Sequence, residues 1–362
     1  LVEPLEFLLP VYAHQRPGRR ALKIALSLYD LMARERQHRF YDKTEFYRRM
    51  PYVRQHGLKG GFFFSDAQVD DSRLVLRLIN ESVAVGAAAL NYTAAIDILR
   101  NDAGEVVGVS IEDTETRESR TLKTRTVINA TGCWAEKLHP SPDPGRHLRP
   151  LRGSHLVFSA EALPIKFGVS FVHPQDNRIV FVLPWEGAVL AGTTDLDHKS
   201  DLSREPTITE GEIVYLMEGL NTLFPSIKIS LKDCISAFAG LRPVLSEGSR
   251  LPQAESREHV VWVDKGLVTA TGGKLTTFRR LAWDALKAAK PFLPSQKYAD
   301  KHKPLFCKLP DGPLNRFDLA DSVWRRLYGR YGQGADAIVQ AAEPKDLKHI
   351  PGTHTLWAEL PF

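Results

Sequence analysis

Among 362 residues there are three cysteines, Cys133, Cys234 and Cys307, and three methionines. Three scattered thiols cannot build a disulfide framework or a cysteine-based zinc cluster, and they suit a reducing compartment. No run approaches the roughly 18 consecutive apolar residues that a membrane-spanning helix needs. A large charge of one sign is missing too: 48 Lys+Arg against 43 Asp+Glu leave +5, too mild to call for nucleic acid by itself. Low-complexity tracts are absent, and with 43% hydrophobic and 25% charged residues the chain is neither disordered nor collagen-like. The motif repertoire also has gaps. No strand feeds a Gly-x-Gly-x-x-Gly turn, and Gly329-x-x-Gly332-x-Gly334 carries that order reversed. No P-loop, Ser-His-Asp elbow or metal-ligand cluster is found. The length allows one large domain or two to three smaller ones.

What is present reads as α+β with interleaved sheets instead of regular βαβ repeats. After Pro17-Gly18, the stretch Arg19 to Arg36 mixes Leu22, Leu26, Leu28, Leu31 and Met32 with Arg20, Lys23, Arg34 and Arg36. That is a helix with a solvated basic face, or one that lies on an anionic membrane surface. Asp70-Asp71-Ser72 caps a second helix carrying Leu74, Leu78 and Val83, closed by Gly86. Alternating segments at Ala88 to Leu99 and Val106 to Ile111 predict a hairpin, and Thr126 to Ala130 a buried strand ending at Thr131-Gly132. Short strands dominate from Leu148 to Gly240, with one helix over Thr209 to Phe224. A strand then enters Gly272-Gly273-Lys274-Leu275-Thr276-Thr277 ahead of another helix, and helical periodicity returns after Lys301.

Three features suit chemistry. The turn Ala270 to Thr277 lets a ligand approach backbone closely at a helix start whose free N–H groups favour electron-rich partners. Asn129-Ala130-Thr131-Gly132 repeats the design; an ordinary strand-to-helix turn is the better reading of Gly-Gly-Lys taken alone, and a plain packing turn explains the second equally well. Cations stand beside Gly or Pro at Arg152 and Arg242, another follows at Arg257 in Gln253-Ala254-Glu255-Ser256-Arg257, and His155 lies near the first. A stiff backbone suits Arg to capture of phosphate or carboxylate, and His155 to general-base work near neutral pH. Each of these residues alone is as well explained by a surface or structural role, and spacing does not establish that they converge.

Taken together and in order, the stretch from Gly61 to Leu74, Asn129-Ala130-Thr131-Gly132-Cys133-Trp134, Gly153-Ser154-His155, Pro184-Trp185 with Gly192-Thr193-Thr194-Asp195, Gly240-Leu241-Arg242-Pro243 and Gly273-Lys274-Leu275-Thr276-Thr277 resemble the FAD-dependent, quinone-linked glycerol-3-phosphate dehydrogenases. The resemblance implies a D-amino-acid-oxidase-like FAD-dependent oxidoreductase fold in which FAD-binding and substrate-binding lobes alternate along the chain. Residues 1–60 would form a basic helical part of the substrate lobe, 61–140 and 258–300 the FAD-binding lobe, 141–257 a β-rich substrate lobe, and 301–362 part of a helical C-terminal cap. It places Gly132, Trp134, Gly273, Lys274, Leu275 and Thr276 at FAD. Arg242, Arg257 and Lys274 would hold the substrate, with His155 or Lys274 as base. The implied reaction oxidises sn-glycerol 3-phosphate to dihydroxyacetone phosphate, the C2 hydride passing to flavin N5 and the electrons to a quinone. Glycerol-3-phosphate oxidase and an amine or amino-acid oxidase of the same fold are the alternatives, and a nucleic-acid-binding module is disfavoured because cations and aromatics are dispersed.

The resemblance further implies a cytoplasmic enzyme held peripherally on the inner face of the cell membrane, with a homodimer open to it and no metal. Relatives begin with the strand-turn-helix that carries Gly-x-Gly-x-x-Gly, and the chain opens at Leu1 without it and stops at Phe362. The expectation from sequence is therefore an interior piece that binds FAD poorly, within a protein that binds it.

Overall fold

The strand Val2–Tyr12 (β1) lies antiparallel to Leu58–Val69 (β3) along its whole length in a computed structural model describing residues 2–34, 37–139, 147–246, 248, 255–295, 303–306 and 319–361. Between them come helix α1 (Arg19–Ala33), strand β2 (Arg39–Tyr41) and helix α2 (Lys43–Arg49). The sequence carries α1 on to Arg36, but Arg34 turns left-handed at φ 57° and its N–H closes on the carbonyls of Asp30 and Leu31, ending the helix. Residues 35 and 36 lie outside the described ones. Helix α3 (Asp71–Ala84) starts where expected, because Asp70 Oδ1 accepts the Arg73 N–H at 3.0 Å.

Strands β4 (Thr93–Arg100), β5 (Val106–Asp113) and β6 (Ser119–Lys123) form a three-stranded sheet. The predicted hairpin is there, although its first strand begins at Thr93 and not at Ala88. Next come β7 (Val127–Asn129), a single 3-10 turn at Gly132–Trp134 and the short helix α4 (Ala135–Leu138). The chain then lays down β8 (His147–Ser159), β9 (Gly168–Val172), β10 (Ile179–Trp185), β11 (Ala188–Gly192), β12 (Leu196–Asp197), α5 (Glu210–Leu223) and β13 (Cys234–Ser246). Strands β14 (His259–Asp264) and β15 (Leu267–Gly272) precede α6 (Phe278–Ala289), and α7 (Asp321–Tyr331) with α8 (Gly334–Ala341) follows.

A nine-stranded sheet runs β12-β8-β11-β10-β9-β1-β3-β2, with β13 on the other edge of β8. Residues 61–69 therefore lie within β3 of this sheet, whereas the sequence grouped them with 70–140. Alternation along β8 sorts its side chains by face. Leu156 and Phe158 point into a core shared with Leu216 and Leu220 of α5 and Phe46 of α2, where each fully buried Leu or Phe contributes roughly 1.5–3 kcal/mol. His155 points the other way. Leu327, Ile338 and Leu356 gather around Trp324 in a separate apolar cluster. That cluster is fastened to α3 by the buried Arg77, which donates to the carbonyl oxygens of Tyr328 and Gly329. Cys307 and residues 307–318 of the expected cap lie outside the described residues.

Candidate functional site

Strand β7 pairs parallel with β15, Asn129 opposite Thr269, so both glycine turns leave the sheet at the same end. Ligands of mixed and parallel sheets bind at such carboxyl ends. The two turns touch: Thr271 Oγ1 donates to the Gly132 carbonyl at 3.1 Å. Beneath them the buried Asn129 donates through Nδ2 to the Ala135 carbonyl and to Thr269 Oγ1, and its Oδ1 accepts the Thr131 hydroxyl at 2.7 Å. That network fixes the Gly132–Trp134 turn. Gly272 and Gly273 both have positive φ, and Lys274 and Leu275 follow, exposed to solvent.

Facing the first turn is the middle of β13. Between them lies a cavity of about 500 Å3 lined by Gly132, Trp134, Gly240 and Leu241 and by Arg204 and Pro206 of the loop before α5. A β-carbon at Gly132 or Gly240 would meet no atom within 4 Å. Trp134 offers an indole that is 43% exposed. This is a slot open on both walls, flanked by free backbone and one aromatic side chain, and it fits a flat conjugated ring system such as the isoalloxazine of FAD.

Register assembles the second half of the site. Within β8 and its neighbours, Gly153 stands opposite Gly240, His155 opposite Phe238 on one side and Gly192 on the other, and Leu151 opposite Arg242. Paired residues share a face, so His155, Arg242, Phe238 and the three glycines lie on one side of the sheet. His155 stacks on Phe238 with ring centroids 4.8 Å apart and an interplanar angle of 13°. Burial, and next the charge of Arg242, push the His155 ring down to about 4, and Asp71 partly opposes them. The imidazole is thus neutral at pH 7, and its Nδ1 is buried without a hydrogen-bond partner.

The arginines converge on a residue that sequence reasoning did not single out. Buried Asp195 takes Arg257 Nη2 at 2.7 Å, Arg242 Nη1 at 3.5 Å and Arg178 Nη2 at 3.7 Å. Arg242 also donates to Thr193 Oγ1 at 3.0 Å. Three guanidinium charges against one carboxylate leave an excess of two positive charges here. Asp195 could have been suspected from its place in Gly192-Thr193-Thr194-Asp195, while nothing in the sequence marks Arg178. Arg152, grouped with these cations by sequence, faces the opposite way and pairs with buried Glu212 at 2.9 Å. No hydrogen bond or ion pair joins the Lys274 side chain to this cluster among the described residues. Lys274 stays with the glycine turn, where its N–H and carbonyl both bond Thr277 Oγ1.

An open cleft at Gly132 and Trp134, three arginines on one buried carboxylate and a neutral histidine thus stand around the middle of β13. The chain belongs to the FAD dependent oxidoreductase family, whose pattern matches residues 5–279. It has the D-amino-acid-oxidase-like fold of that family. It is 35% identical over 285 residues to the aerobic glycerol-3-phosphate dehydrogenase of Bacillus subtilis strain 168, covering 77% of this chain and 51% of that one. The glycerol-3-phosphate dehydrogenase of Bacillus halodurans, solved with FAD, superposes with a TM-score of 0.75 at 27% identity over 94% of this chain and 64% of its own. The L-alpha-glycerophosphate oxidase of Mycoplasma pneumoniae, solved with FAD bound, shares the fold, with a TM-score of 0.62 at 18% identity over 80% of this chain and 73% of its own. The chain spans about half the length of the first of these relatives.

Proposed function

We propose that this chain carries the substrate-recognising part of an FAD-dependent glycerol-3-phosphate dehydrogenase. The observation that carries the reading is the convergence of Arg242 and Arg257 on Asp195, on the sheet face that holds His155. A dianionic phosphate matches the local excess of two positive charges, whereas a carboxylate is satisfied by one arginine fork. In this reading Arg242 and Arg257 hold the phosphate and so set the position of C2. His155 accepts the C2 hydroxyl proton, with Lys274 as the alternative base. The ring begins as a weak base because burial, and next the charge of Arg242, depress it, and phosphate on Arg242 offsets that charge and strengthens the base when substrate arrives.

Gly132, Trp134, Gly273, Lys274, Leu275 and Thr276 would hold FAD, which when bound supplies the redox chemistry by accepting the C2 hydride at N5. The protein contributes orientation, charge and proton transfer. Electrons then pass to a quinone, and the enzyme sits peripherally on the cytoplasmic face of a membrane. Support for that attachment is α1, whose Ile24, Leu28, Leu31 and Met32 are solvent-exposed near Arg20 and Lys23. No described helix is long and apolar enough to cross a membrane.

The test is a glycerol 3-phosphate assay on the FAD-loaded protein, with a quinone analogue and with dioxygen as alternative acceptors. Dihydroxyacetone phosphate with quinone reduction is the expected result. Hydrogen peroxide in its place would identify an oxidase, and turnover of amines with none of glycerol 3-phosphate would overturn the substrate reading.

A further inference from the structure

A second cavity lies at the far end of the sheet's core side, with a volume of about 170 Å3. Tyr12 at the end of β1, Gln15 in the following turn, Arg54 after α2, His173 and Asn177 in the β9–β10 hairpin, and Leu223 at the end of α5 line it. No carboxylate does. At about 30 Å3 per water, the space holds roughly five or six waters, the size of a small acid or phosphate ester.

Three side-chain atoms that can donate are left without partners around it. Tyr12 Oη, Gln15 Nε2 and Arg54 Nε are each buried without a hydrogen-bond partner. Gln15 is oriented by its own backbone turn, since Oε1 accepts the Tyr12 N–H at 3.0 Å and leaves the amide N–H groups free. Arg54 is held by stacking, its guanidinium carbon 4.3 Å from the Tyr12 ring centroid, and no carboxylate pairs with it among the described residues. Burial pushes the Tyr12 hydroxyl up to about 12 against the opposing charge and polar contact of Arg54 beside it, so it remains a donor throughout the physiological range. His173 is satisfied, Nε2 bonding the Tyr215 carbonyl at 2.9 Å and Nδ1 accepting the Gln175 N–H. Arg54 is half-buried, but its Nε, like Tyr12 Oη and Gln15 Nε2, is a buried polar atom that is costly to leave without an acceptor.

We propose that this cavity is a binding site for a small oxyanion, a phosphate or a carboxylate, held by Arg54, Gln15 and Tyr12. It is separate from the Asp195 cluster, since its Phe171 and Leu223 belong to the main core and His155 lies on the other face. The two sites share one hairpin: Asn177 lines the cavity, and the next residue, Arg178, reaches Asp195.

The experiment uses the whole chain with 15N-labelled arginine and glutamine, titrated with inorganic phosphate, acetate or glycerol up to roughly 20 mM, a range suited to weak ligands. R242Q/R257Q serves as the background so that the other arginine pair does not bind the probe. Saturable shifts of the Arg54 Nε–H and the Gln15 side-chain amide with phosphate would assign a phosphate site, and with acetate alone a carboxylate site. R54Q should weaken binding by about tenfold or more, as for loss of a charged hydrogen bond. Y12F, which removes only one hydroxyl, should weaken it less and serves if R54Q fails to fold. No shift with either anion, equal shifts with glycerol, or anion binding untouched by both R54Q and Y12F would overturn the proposal.

Discussion

The guanidinium of Arg242 occupies the space over Gly153 on the neighbouring strand, where any β-carbon would overlap it. The same relation recurs one residue pair away, where a side chain at Gly192 would overlap the His155 ring. The absence of two side chains on β8 and β11 therefore leaves room for the two groups to which the proposed chemistry assigns substrate binding and proton transfer.

G153A should displace Arg242 from Asp195 and Thr193. Losing one charged fork on the phosphate costs about 1.5–3 kcal/mol, so KM for glycerol 3-phosphate should rise roughly 10- to 100-fold, with overpacking taking a further 1–3 kcal/mol from stability. Steady-state kinetics beside a thermal melt would measure both, and an unchanged KM in a folded variant would remove Arg242 from phosphate recognition.

His155 should stay neutral well below its usual range, titrating near 4 in the ligand-free protein, and R242Q should move it upward. Histidine ring C–H resonances followed against pH report this directly. The sign for stability follows from linkage. The unfolded ring takes its proton near 6.5 and the folded ring only near 4, so the unfolded state binds more protons between them and stability falls on acidification through that window. H155N should flatten that slope, and an H155N curve parallel to wild type would contradict it.

Glu212 anchors the frame under the site. It accepts from Thr194 Oγ1 at 2.7 Å, Ser154 Oγ at 2.8 Å and the Thr209 N–H at 2.9 Å, beside Arg152. Burial pushes its carboxyl up, but bonds from Thr194, Thr209 and Ser154 outweigh that and hold it at about 2 against a usual 4.5. The shift is worth about 3 kcal/mol, fully present above pH 4.5 and lost as pH falls toward 2. E212Q should unfold at markedly lower urea at pH 7, and its gap from wild type should narrow below pH 4.5. A gap that is constant with pH would mean that the carboxylate's charge is not what stabilises the frame.

Membrane attachment through α1 predicts that L31E/M32E loses co-sedimentation with anionic vesicles. Both side chains are more than 70% exposed, so the fold should be untouched. Two apolar side chains withdrawn from the interface should weaken partitioning by at least about tenfold. Undiminished sedimentation of the variant would place the contact elsewhere.

Much of the local structure was legible in sequence because its causes are local. Asp70 caps α3, Thr209 and Glu212 frame the start of α5, and strand alternation marks β10 and β11. Where competing local terms decided, the sequence reading slipped: α1 ends early because Arg34 adopts a left-handed conformation, and Ala88 to Tyr92 stays out of the sheet. The glycine turns, the two arginines and His155 could be named as types suited to chemistry, and their order along the chain resembles one family. Their convergence was beyond reach, because it depends on pairings between residues far apart in the chain. The β8–β13 register brings Arg242 over Gly153, and the parallel β7–β15 pair joins Gly132 to Thr271. Face selection by the core decided the rest. With Leu156 and Phe158 committed to the α5 side, His155 had to face the site and Arg152 had to turn toward Glu212, so two nearby polar residues of similar promise received opposite roles. Sequence alone determined which groups were available, and the tertiary register determined which of them share a face.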